Sequence, residues 1–401
     1  MVGITTYFCL YHFLYHQHTL IATEFIRGIY MNHLTASQTT NNNFNNNINN
    51  NIDTGRLQIN ITSGPTSFPV SGATVSISYT GVPGSTLEQL QTNSSGQTEV
   101  VELDAPPLEL SLNPNNEVQP YSEYTLDITA PGFEPVSISG TEILADVTAL
   151  QNITMQPSGP QETGEEVFVI PAHTLYGEYP PKIPEAEIKP LQETGEIVLS
   201  RVVVPEYIVV HDGSPNDPTA RDYYVRYRDY IKNVASSEIY ATWPDSTIRA
   251  NILAIMSFTL NRVYTEWYRN RGYDFTITSS TAYDHKWIYG QTIFENISLL
   301  VDEIFDQYLS RPDVKQPILT QYCDGRKVTC PNWMTQWGSK SLGDQGYSPI
   351  EILRHFYGES IYINTAEQIA GIPASWPGYN LDIGVTGDKV RQLQEQLDRI
   401  A

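Results

Sequence analysis

The chain of 401 residues is poor in cysteine and in basic residues, and it has no long apolar run. Its 23 Lys and Arg residues stand against 45 Asp and Glu residues, which gives a formal net charge of −22. Nucleic acids and anionic membrane surfaces are bound through basic patches, so this balance argues against both as partners. The apolar patch at residues 7–15 contains His12 and is too short to span a bilayer. No basic residue precedes Arg27, so we expect no classical signal peptide.

The three cysteines, Cys9, Cys323 and Cys330, are too few for a disulfide framework. The spacing of Cys323 and Cys330 allows a local disulfide, two ligands of a metal site, or free thiols. A zinc site needs three or four ligands, and His285 and His355 are the nearest further candidates. We expect no metal and no cofactor in this chain.

The first half of the chain divides into three parts by composition. Residues 1–53 end in a tract dense in asparagine, which favours neither a helix nor a packed core, so we expect disorder there. Residues 55–157 contain short runs of alternating apolar and polar residues between Gly, Pro, Asn and Ser, which predicts an all-β sandwich. Residues 158–200 are rich in Pro and Glu and are expected to be a linker.

The β-rich part resembles transthyretin-like and carboxypeptidase-regulatory domains. The resemblance rests on three short segments, which are PVSGATV at 69–75, TNSSGQT at 92–98 and APGF at 130–133. No cluster of titratable residues is found in this part of the sequence. We therefore interpret it as a stabilising or docking module without chemistry of its own.

The stretch over residues 227–268 carries the strongest functional signal. Apolar residues recur at spacings of three and four over 227–235, which predicts a short amphipathic helix that ends at Glu238. Pro244 interrupts the pattern, because proline lacks an N–H and constrains the residue before it. A second, longer helix is predicted to begin at Asp245, which can cap it.

Glu238 thus stands at the corner between two predicted helices, close in sequence to Trp243. Partial burial at such a corner would raise the pKa of the carboxyl group, and a protonated carboxyl is suited to general acid catalysis. A glutamate near a helix end is also commonly a solvated cap or one half of an ion pair. The spacing alone leaves both interpretations open.

Three ordered blocks of sequence carry a resemblance to a known family. They are Tyr230-Ile231-Lys232 with Glu238 and Trp243-Pro244, then Asp284-His285-Lys286-Trp287-Ile288-Tyr289-Gly290, then Met334-Thr335-Gln336-Trp337-Gly338-Ser339 followed by Gly346-Tyr347-Ser348-Pro349. Their order resembles the SpoIID family over about residues 200–365. In that family a glutamate at this position is the single catalytic acid of a peptidoglycan lytic transglycosylase. The resemblance implies an α+β catalytic domain at 201–370 with Glu238 as its acid.

The same resemblance implies weaker substrate-binding roles for six further side chains. Ser237, Tyr289 and Gln336 would hydrogen-bond the sugar or the developing charge. Trp243 and Trp337 would stack on sugar faces, and His285 would contact the substrate from a loop. A place in the core is the alternative for the aromatic residues, and a solvated loop is the alternative for the histidine. Two positions depart from the family pattern, namely Trp287 and the stretch 330–333.

The order of the modules makes the resemblance more specific than the SpoIID family alone. Residues 376–401 predict a helix that Asp388 caps and that presents Val390, Leu393 and Leu397 along one stripe. This segment resembles the start of a peptidoglycan-binding domain, although only one helix of that domain is present. The whole arrangement resembles clostridial spore cortex-lytic enzymes, which are multidomain proteins made as zymogens.

That resemblance implies spore cortex peptidoglycan as the substrate, an activating protease as a partner, and the spore as the location. Two other interpretations stay open. A SpoIID-like domain can act as a non-catalytic enhancer that binds glycan and recruits an amidase. A structural protein of the spore surface is the third interpretation, but it leaves the three ordered blocks unexplained.

Overall fold

The computed structural model describes residues 52–64, 68–82, 84–159, 164–189 and 201–368. The predicted asparagine-rich start, up to residue 51, and the predicted helix within 376–401 lie outside the described residues. Within the described ranges, no helix is both long enough and apolar enough to cross a membrane.

The first part of the chain is built almost entirely of strands. They are β1 (Asp53–Ser63), β2 (Thr74–Tyr79), β3 (Thr86–Gln91), β4 (Val101–Ala105), β5 (Ser122–Thr129), β6 (Val136–Ile143), β7 (Thr148–Met155) and β8 (Glu166–Val169), with one short helix, α1 (Glu109–Leu112).

The second part mixes helices with short strands. In chain order it contains β9 (Val203–Val204), β10 (Tyr207–His211), β11 (Asp222–Arg226), α2 (Tyr227–Glu238), α3 (Asp245–Tyr264), a 3₁₀ turn (Arg269–Arg271), β12 (Ile277–Thr278), β13 (Ile293–Phe294), α4 (Glu295–Ile304), β14 (Gln307–Ser310), β15 (Tyr322–Cys323), β16 (Met334–Thr335), α5 (Gln336–Asp344), α6 (Pro349–Tyr357), β17 (Tyr362–Thr365) and β18 (Glu367–Gln368).

The predicted β-sandwich is present. One sheet has the strand order β13-β7-β1-β4 and the other has the order β3-β2-β5-β6-β8. The alternation in the sequence matches the burial, since Leu57, Ile59 and Ile61 of β1 are fully buried while Arg56 is exposed. Successive side chains of a strand point to opposite faces, so this pattern places one face of each sheet in the core.

Both helices predicted around Glu238 are confirmed. In α2 the predicted apolar face, which includes Tyr230, Ile231 and Val234, is completely buried. Helix α3 differs from its prediction as an amphipathic helix, because it is buried on nearly all sides by α2, α4, α5, α6 and β14. The predicted cap at Asp245 is wrong. Asp245 is the first helical residue, it makes no capping hydrogen bond, and its carboxylate pairs with Arg249 at 2.7 Å.

The two parts share a sheet and a single core. Strand β13 of the second part pairs antiparallel with β7 of the sandwich. Beside this pairing, Gln151 Nε2 donates to the main-chain oxygen of Gly290 at 2.7 Å. From the other direction, Trp243 Nε1 donates to the main-chain oxygen of Ser111 at 3.0 Å. The sandwich is therefore packed directly on the second part.

The predicted linker over 158–200 needs a correction where the structure describes it. We call residues 164–189 the junction segment. Its first strand, β8, pairs with β6, and the extended chain that follows packs on the second part. Two glutamine side chains, Gln316 and Gln321, exchange hydrogen bonds with its main chain. The prolines do prevent regular secondary structure there. Side-chain amides, instead of a helix or a sheet, provide hydrogen-bond partners for the main-chain N–H and C=O groups.

Candidate active site

Glu238 is the last residue of α2 and its side chain is buried, with 4% of the residue exposed. Its Oε1 accepts a hydrogen bond from the main-chain N–H of Lys286 at 2.6 Å. Its Oε2 accepts a hydrogen bond from the hydroxyl of Tyr322. Both carboxylate oxygens are therefore held in a fixed orientation by groups from two other parts of the fold.

Burial raises the pKa of the Glu238 carboxyl above its usual value. The charge of Lys182, the N–H of Lys286 and the hydroxyl of Tyr322 act in the opposite direction, because each stabilises the carboxylate, and they offset part of this increase. A general acid needs a pKa close to the pH at which it works. The direction predicted from the sequence for Glu238 is thus confirmed, and its main cause is burial.

The loop that carries Lys286 is fixed by a buried ionic cluster. Arg262 of α3 is 1% exposed and donates to Asp284 Oδ1 at 2.7 Å and to both carboxylate oxygens of Glu185. The other oxygen of Asp284 accepts hydrogen bonds from Tyr268 and Thr278. The cluster joins α3, the loop before Lys286 and the junction segment, so it positions the N–H that contacts Glu238.

Glu238 lines a cleft of about 540 Å³, counted with the part open to solvent. The lining residues are Thr174, Gly177, Tyr179, Pro180, Pro181 and Lys182 from the junction segment, and Glu238, Thr281, Tyr322, Cys323, Asp324, Lys327, Val328 and Gln336 from the second part. The junction segment therefore supplies a large share of the surface around the carboxyl group.

Gln336 and Ser237, two of the predicted substrate contacts, instead support the structure of α2. Gln336 lines the cleft, but its Nε2 donates to the main-chain oxygen of Glu238 at 2.9 Å. Ser237 is fully buried and its hydroxyl donates to the main-chain oxygen of Asn233 at 2.9 Å. Gln336 therefore holds the helix end that carries Glu238, while Ser237 has no exposure to the cleft.

None of the four predicted aromatic and histidine contacts is among the residues that line the cleft. Trp243 and Trp337 are buried and pack on each other with ring centroids 4.9 Å apart, so neither presents a face to a sugar. His285 is fully buried between Phe258 and Tyr322, which excludes the solvated loop and leaves no contact with substrate.

Tyr289 is half-exposed, but it is absent from the cleft lining. Its ring packs in an aromatic group with Phe168, Tyr223 and Trp287. Trp287, which departs from the family pattern, is therefore used for packing in this group. Tyr289 remains a surface side chain away from the residues that line the cleft.

The sulfur atoms of Cys323 and Cys330 are bonded in a local disulfide, which settles the alternatives that the spacing left open. The disulfide closes the loop that brings Asp324, Lys327 and Val328 to the cleft. Among the described residues, no three His, Cys, Asp or Glu side chains are grouped so that they could hold a metal ion.

Sequence reasoning missed Lys182 and Tyr322, which lie close to the carboxyl group of Glu238. Lys182 stands in a proline-rich stretch that reads as a linker, and Tyr322 stands outside the blocks of the family resemblance. A lysine that lines the cleft and a tyrosine 84 residues beyond Glu238 reach it only through tertiary packing. No local pattern marks either position.

No family model matches the chain, and a search of curated proteins finds no match. The SpoIID resemblance therefore stays a prediction. Among solved structures, 5-hydroxyisourate hydrolase from Klebsiella pneumoniae is 23% identical over 26% of this chain and 92% of its own length, with a TM-score of 0.18.

Two other solved structures are similar to a comparable share of the chain. Catechol 1,2-dioxygenase from Acinetobacter radioresistens is 15% identical over 28% of this chain and 55% of its own length, with a TM-score of 0.19. The TIE protein of Bacillus anthracis is 15% identical over 26% of this chain and 17% of its own length, with a TM-score of 0.18. The chain thus spans well under two thirds of both proteins. TM-scores this low carry no argument, and the β-sandwich rests on its own strand pairing.

Proposed function

We propose that the protein is a peptidoglycan lytic transglycosylase whose catalytic acid is Glu238. The observation that carries the proposal is the state of this side chain. It is a buried carboxyl with a raised pKa, it lines an open cleft, and its orientation is fixed by two hydrogen-bond donors. The three ordered sequence blocks that resemble the SpoIID family support the choice of substrate.

In the proposed reaction the protonated Glu238 donates its proton to the glycosidic oxygen between N-acetylmuramic acid and N-acetylglucosamine. The bond between C1 and that oxygen breaks, the oxygen keeps the electron pair, and C1 develops oxocarbenium character. The carboxylate then accepts the proton of the muramoyl C6 hydroxyl while O6 bonds to C1. A 1,6-anhydro ring forms, no water is consumed, and Glu238 ends protonated as it began.

A single carboxyl group suffices for this reaction, because the sugar supplies its own nucleophile. Ordinary glycosidases need two carboxyl groups, separated by roughly 5–9.5 Å. The other carboxylate that lines the cleft is Asp324, and its two oxygens accept hydrogen bonds from the main-chain N–H groups of Lys327 and Val328. Asp324 is therefore engaged in shaping its loop, which favours the transglycosylase over a two-carboxylate hydrolase.

The order of the modules supports spore cortex as the peptidoglycan and a SleC-type cortex-lytic enzyme as the closest description. On this proposal the protein acts in germination, is located in the spore, and requires an activating protease.

The test is mass spectrometry of the muropeptides that the full chain releases from decoated spore cortex, with and without prior limited proteolysis. Wild type is compared with Glu238→Gln and with Glu134→Gln, which makes the same change at a buried glutamate of the sandwich. We expect products lighter than the reduced hydrolytic ones by one water and two hydrogens, from wild type and Glu134→Gln only. Hydrolytic products, or equal release by Glu238→Gln, would exclude the proposal.

A second candidate is a non-catalytic enhancer that binds glycan and recruits an amidase. One observation favours it, namely that Glu238 is almost completely buried and both of its oxygens already have donors. This candidate predicts that wild type and Glu238→Gln pellet equally with the cortex. It also predicts that neither protein releases muropeptides after proteolytic treatment, and that both stimulate an added amidase.

A further inference from the structure

Lys182 is a half-buried lysine that no sequence block of the resemblance includes. It belongs to the junction segment and lines the same cleft as Glu238. Its Nζ lies 5.4 Å from the centre of the Tyr322 ring, whose hydroxyl donates to the Glu238 carboxylate. On its other side Nζ lies 5.0 Å from the centre of the Phe258 ring. The ammonium group thus occupies a pocket beside the groups that hold Glu238.

Lys182 is only partly exposed, and its hydrogen bonding is unusual for a charge in that position. Within the described part of the chain, its Nζ donates to the main-chain oxygen of Asp284 and to no carboxylate. Partial burial of an ammonium without a hydrogen-bonded anion is unfavourable, because it removes part of the water around the charge. Lys189 in the same segment shows the usual solution, since its ammonium pairs directly with Glu185. A structural ion pair therefore does not explain the position of Lys182, and a function in the cleft is the alternative.

We propose that Lys182 is a positioning residue of the active site, whose ammonium group stabilises the Glu238 carboxylate between its two proton transfers. This inference rests on the proposed function. Donation to the glycosidic oxygen leaves a carboxylate on a side chain that is almost completely buried. The positive charge of Lys182 holds that anion until it accepts the proton of the C6 hydroxyl, and Lys182 itself exchanges no proton.

Several other ionisable groups face this pair. Around Glu238 and Lys182 they are Lys286, Asp284, His285, Tyr230, Tyr322, Tyr179, Arg262 and Glu185. His285 is neutral, since burial lowers its pKa well below the usual value. Tyr230 and Tyr322 are neutral as well, because burial raises the pKa of each hydroxyl well above its usual value. Arg262 is committed to Asp284 and Glu185. Lys182 and Lys286 are therefore the cations whose charges lower the pKa of Glu238, and Lys182 has the larger effect.

The test measures the ionisation of Glu238 directly. The full chain is labelled with 13C at the glutamate carboxyl carbon, and the Glu238 resonance is identified by its loss in Glu238→Gln. Its titration is then followed in wild type, Lys182→Met, Lys182→Gln, Lys182→Arg, Lys286→Met and Lys189→Met. Two neutral variants are used so that a folding defect in one of them does not prevent the test.

We expect Lys182→Met and Lys182→Gln to move the midpoint of Glu238 upward by about one pH unit or more, because an opposite charge at close range is removed. Lys286→Met should cause a smaller upward shift, and Lys189→Met and Lys182→Arg should leave the midpoint near that of wild type. In cleavage assays the alkaline limb of kcat/KM should move upward with the midpoint.

An unchanged Glu238 midpoint in both neutral Lys182 variants would overturn the inference, even if cleavage falls, because a purely structural role does not alter this ionisation. The titration does not depend on activity. A shifted midpoint in a protein that never cleaves peptidoglycan would support the pairing of Lys182 with Glu238 and would reject the proposed function alone.

Discussion

The hydroxyl of Tyr322 donates a hydrogen bond to Oε2 of Glu238 from a strand that begins 84 residues after the end of α2. The main-chain N–H of Lys286 donates to the other oxygen. Both donors stabilise the ionised carboxylate, while burial favours the neutral acid. Burial and the two donors thus act on the pKa of this carboxyl group in opposite directions, and a group that acts first as an acid and then as a base needs a pKa near the working pH.

Tyr322→Phe tests this balance, because it removes one donor and leaves the ring in place against His285. A hydrogen bond to a charged group contributes about 1.5–3 kcal/mol. Its loss from the carboxylate should slow cleavage by roughly ten- to hundredfold. The pKa of Glu238 should also rise, so the alkaline limb of kcat/KM should move to higher pH.

The matched control for this change is Tyr357→Phe. Tyr357 is also buried, but its hydroxyl donates to the main-chain oxygen of Gln321 at 3.0 Å. We expect it to lose stability without a shift of the pH profile. If both variants gave the same profile as wild type, the hydrogen bond from Tyr322 would have no part in the ionisation of Glu238.

The buried ionic cluster around Arg262 should dominate the stability of the site. Arg262→Met leaves the buried Asp284 without its cation and Glu185 with Lys189 alone, and breaking a buried pair in this way costs about 3–5 kcal/mol. Arg249→Met removes an arginine whose partners, Asp245 and Glu303, are exposed, and should cost no more than about 1 kcal/mol. Denaturant unfolding measures both values.

The same pair of variants tests whether the cluster anchors the junction segment. Limited proteolysis should cleave within residues 164–189 faster in Arg262→Met than in wild type, and Arg249→Met should behave as wild type does. Equal losses of stability in the two variants, with no change in cleavage of the segment, would contradict the anchoring role.

The helix that ends at Glu238 could be predicted from local sequence, and most of the surroundings of Glu238 could not. The spacing of Tyr230, Ile231 and Val234 fixes a helix with one buried face, and that helix carries Glu238 at its end. Composition correctly excluded regular structure around Pro180 and Pro181. It could not show that this irregular chain is packed, because packing depends on glutamine and arginine side chains more than a hundred residues away.

Four of the six predicted sugar contacts, Ser237, Trp243, His285 and Trp337, are buried and absent from the lining of the cleft, which the sequence could not show for a related reason. A block of sequence that resembles a family shows which residues occur in a fixed order. It does not distinguish the residues that face a cleft from those that pack between the helices around it. Trp243 and Trp337 pack on each other, and Gln336 supports the main chain at Glu238. Whether such a residue contacts substrate or packs in the core depends on its burial. The burial of an aromatic residue is set by the tertiary structure and cannot be read from a segment that contains both polar and apolar residues.

Glu142 should make the stability of the protein depend on pH. It is 1% exposed at the end of β6, and within the described ranges neither of its carboxylate oxygens has a hydrogen-bond partner. Burial, with a smaller effect of Glu123, raises the pKa of this carboxyl well above its usual value. The folded protein therefore keeps the proton at a pH where the unfolded chain loses it, so stability falls as pH rises above about 4.3.

Replacing Glu142 with Gln should remove this loss. The variant should be close to wild type in stability near pH 4 and more stable at neutral pH, as measured by denaturant unfolding at both values. Thr141→Val is the control, since Thr141 is a buried neighbour that does not titrate, and its effect should be the same at both pH values. A constant difference between Glu142→Gln and wild type would show that the carboxyl group is not buried as a neutral acid.

The disulfide between Cys323 and Cys330 should stabilise the cleft as well as the fold. It closes a loop whose Lys327 donates to the main-chain oxygen of Gly177 at 3.0 Å and pairs with Glu178, so the loop is tied to the junction segment across the cleft. Cys330→Ser should lower the free energy of unfolding by about 2–4 kcal/mol, because the open loop has more conformational freedom in the unfolded chain.

Reduction of the wild-type protein with dithiothreitol should reproduce the loss of stability seen in Cys330→Ser, and cleavage of peptidoglycan should fall in both because the lining of the cleft loses its constraint. Dithiothreitol should have no further effect on Cys330→Ser. Cys9→Ser, which changes the third cysteine, should respond to dithiothreitol as wild type does. A response of Cys330→Ser equal to that of wild type would mean that the reductant acts elsewhere, and that this disulfide does not set the stability of the loop.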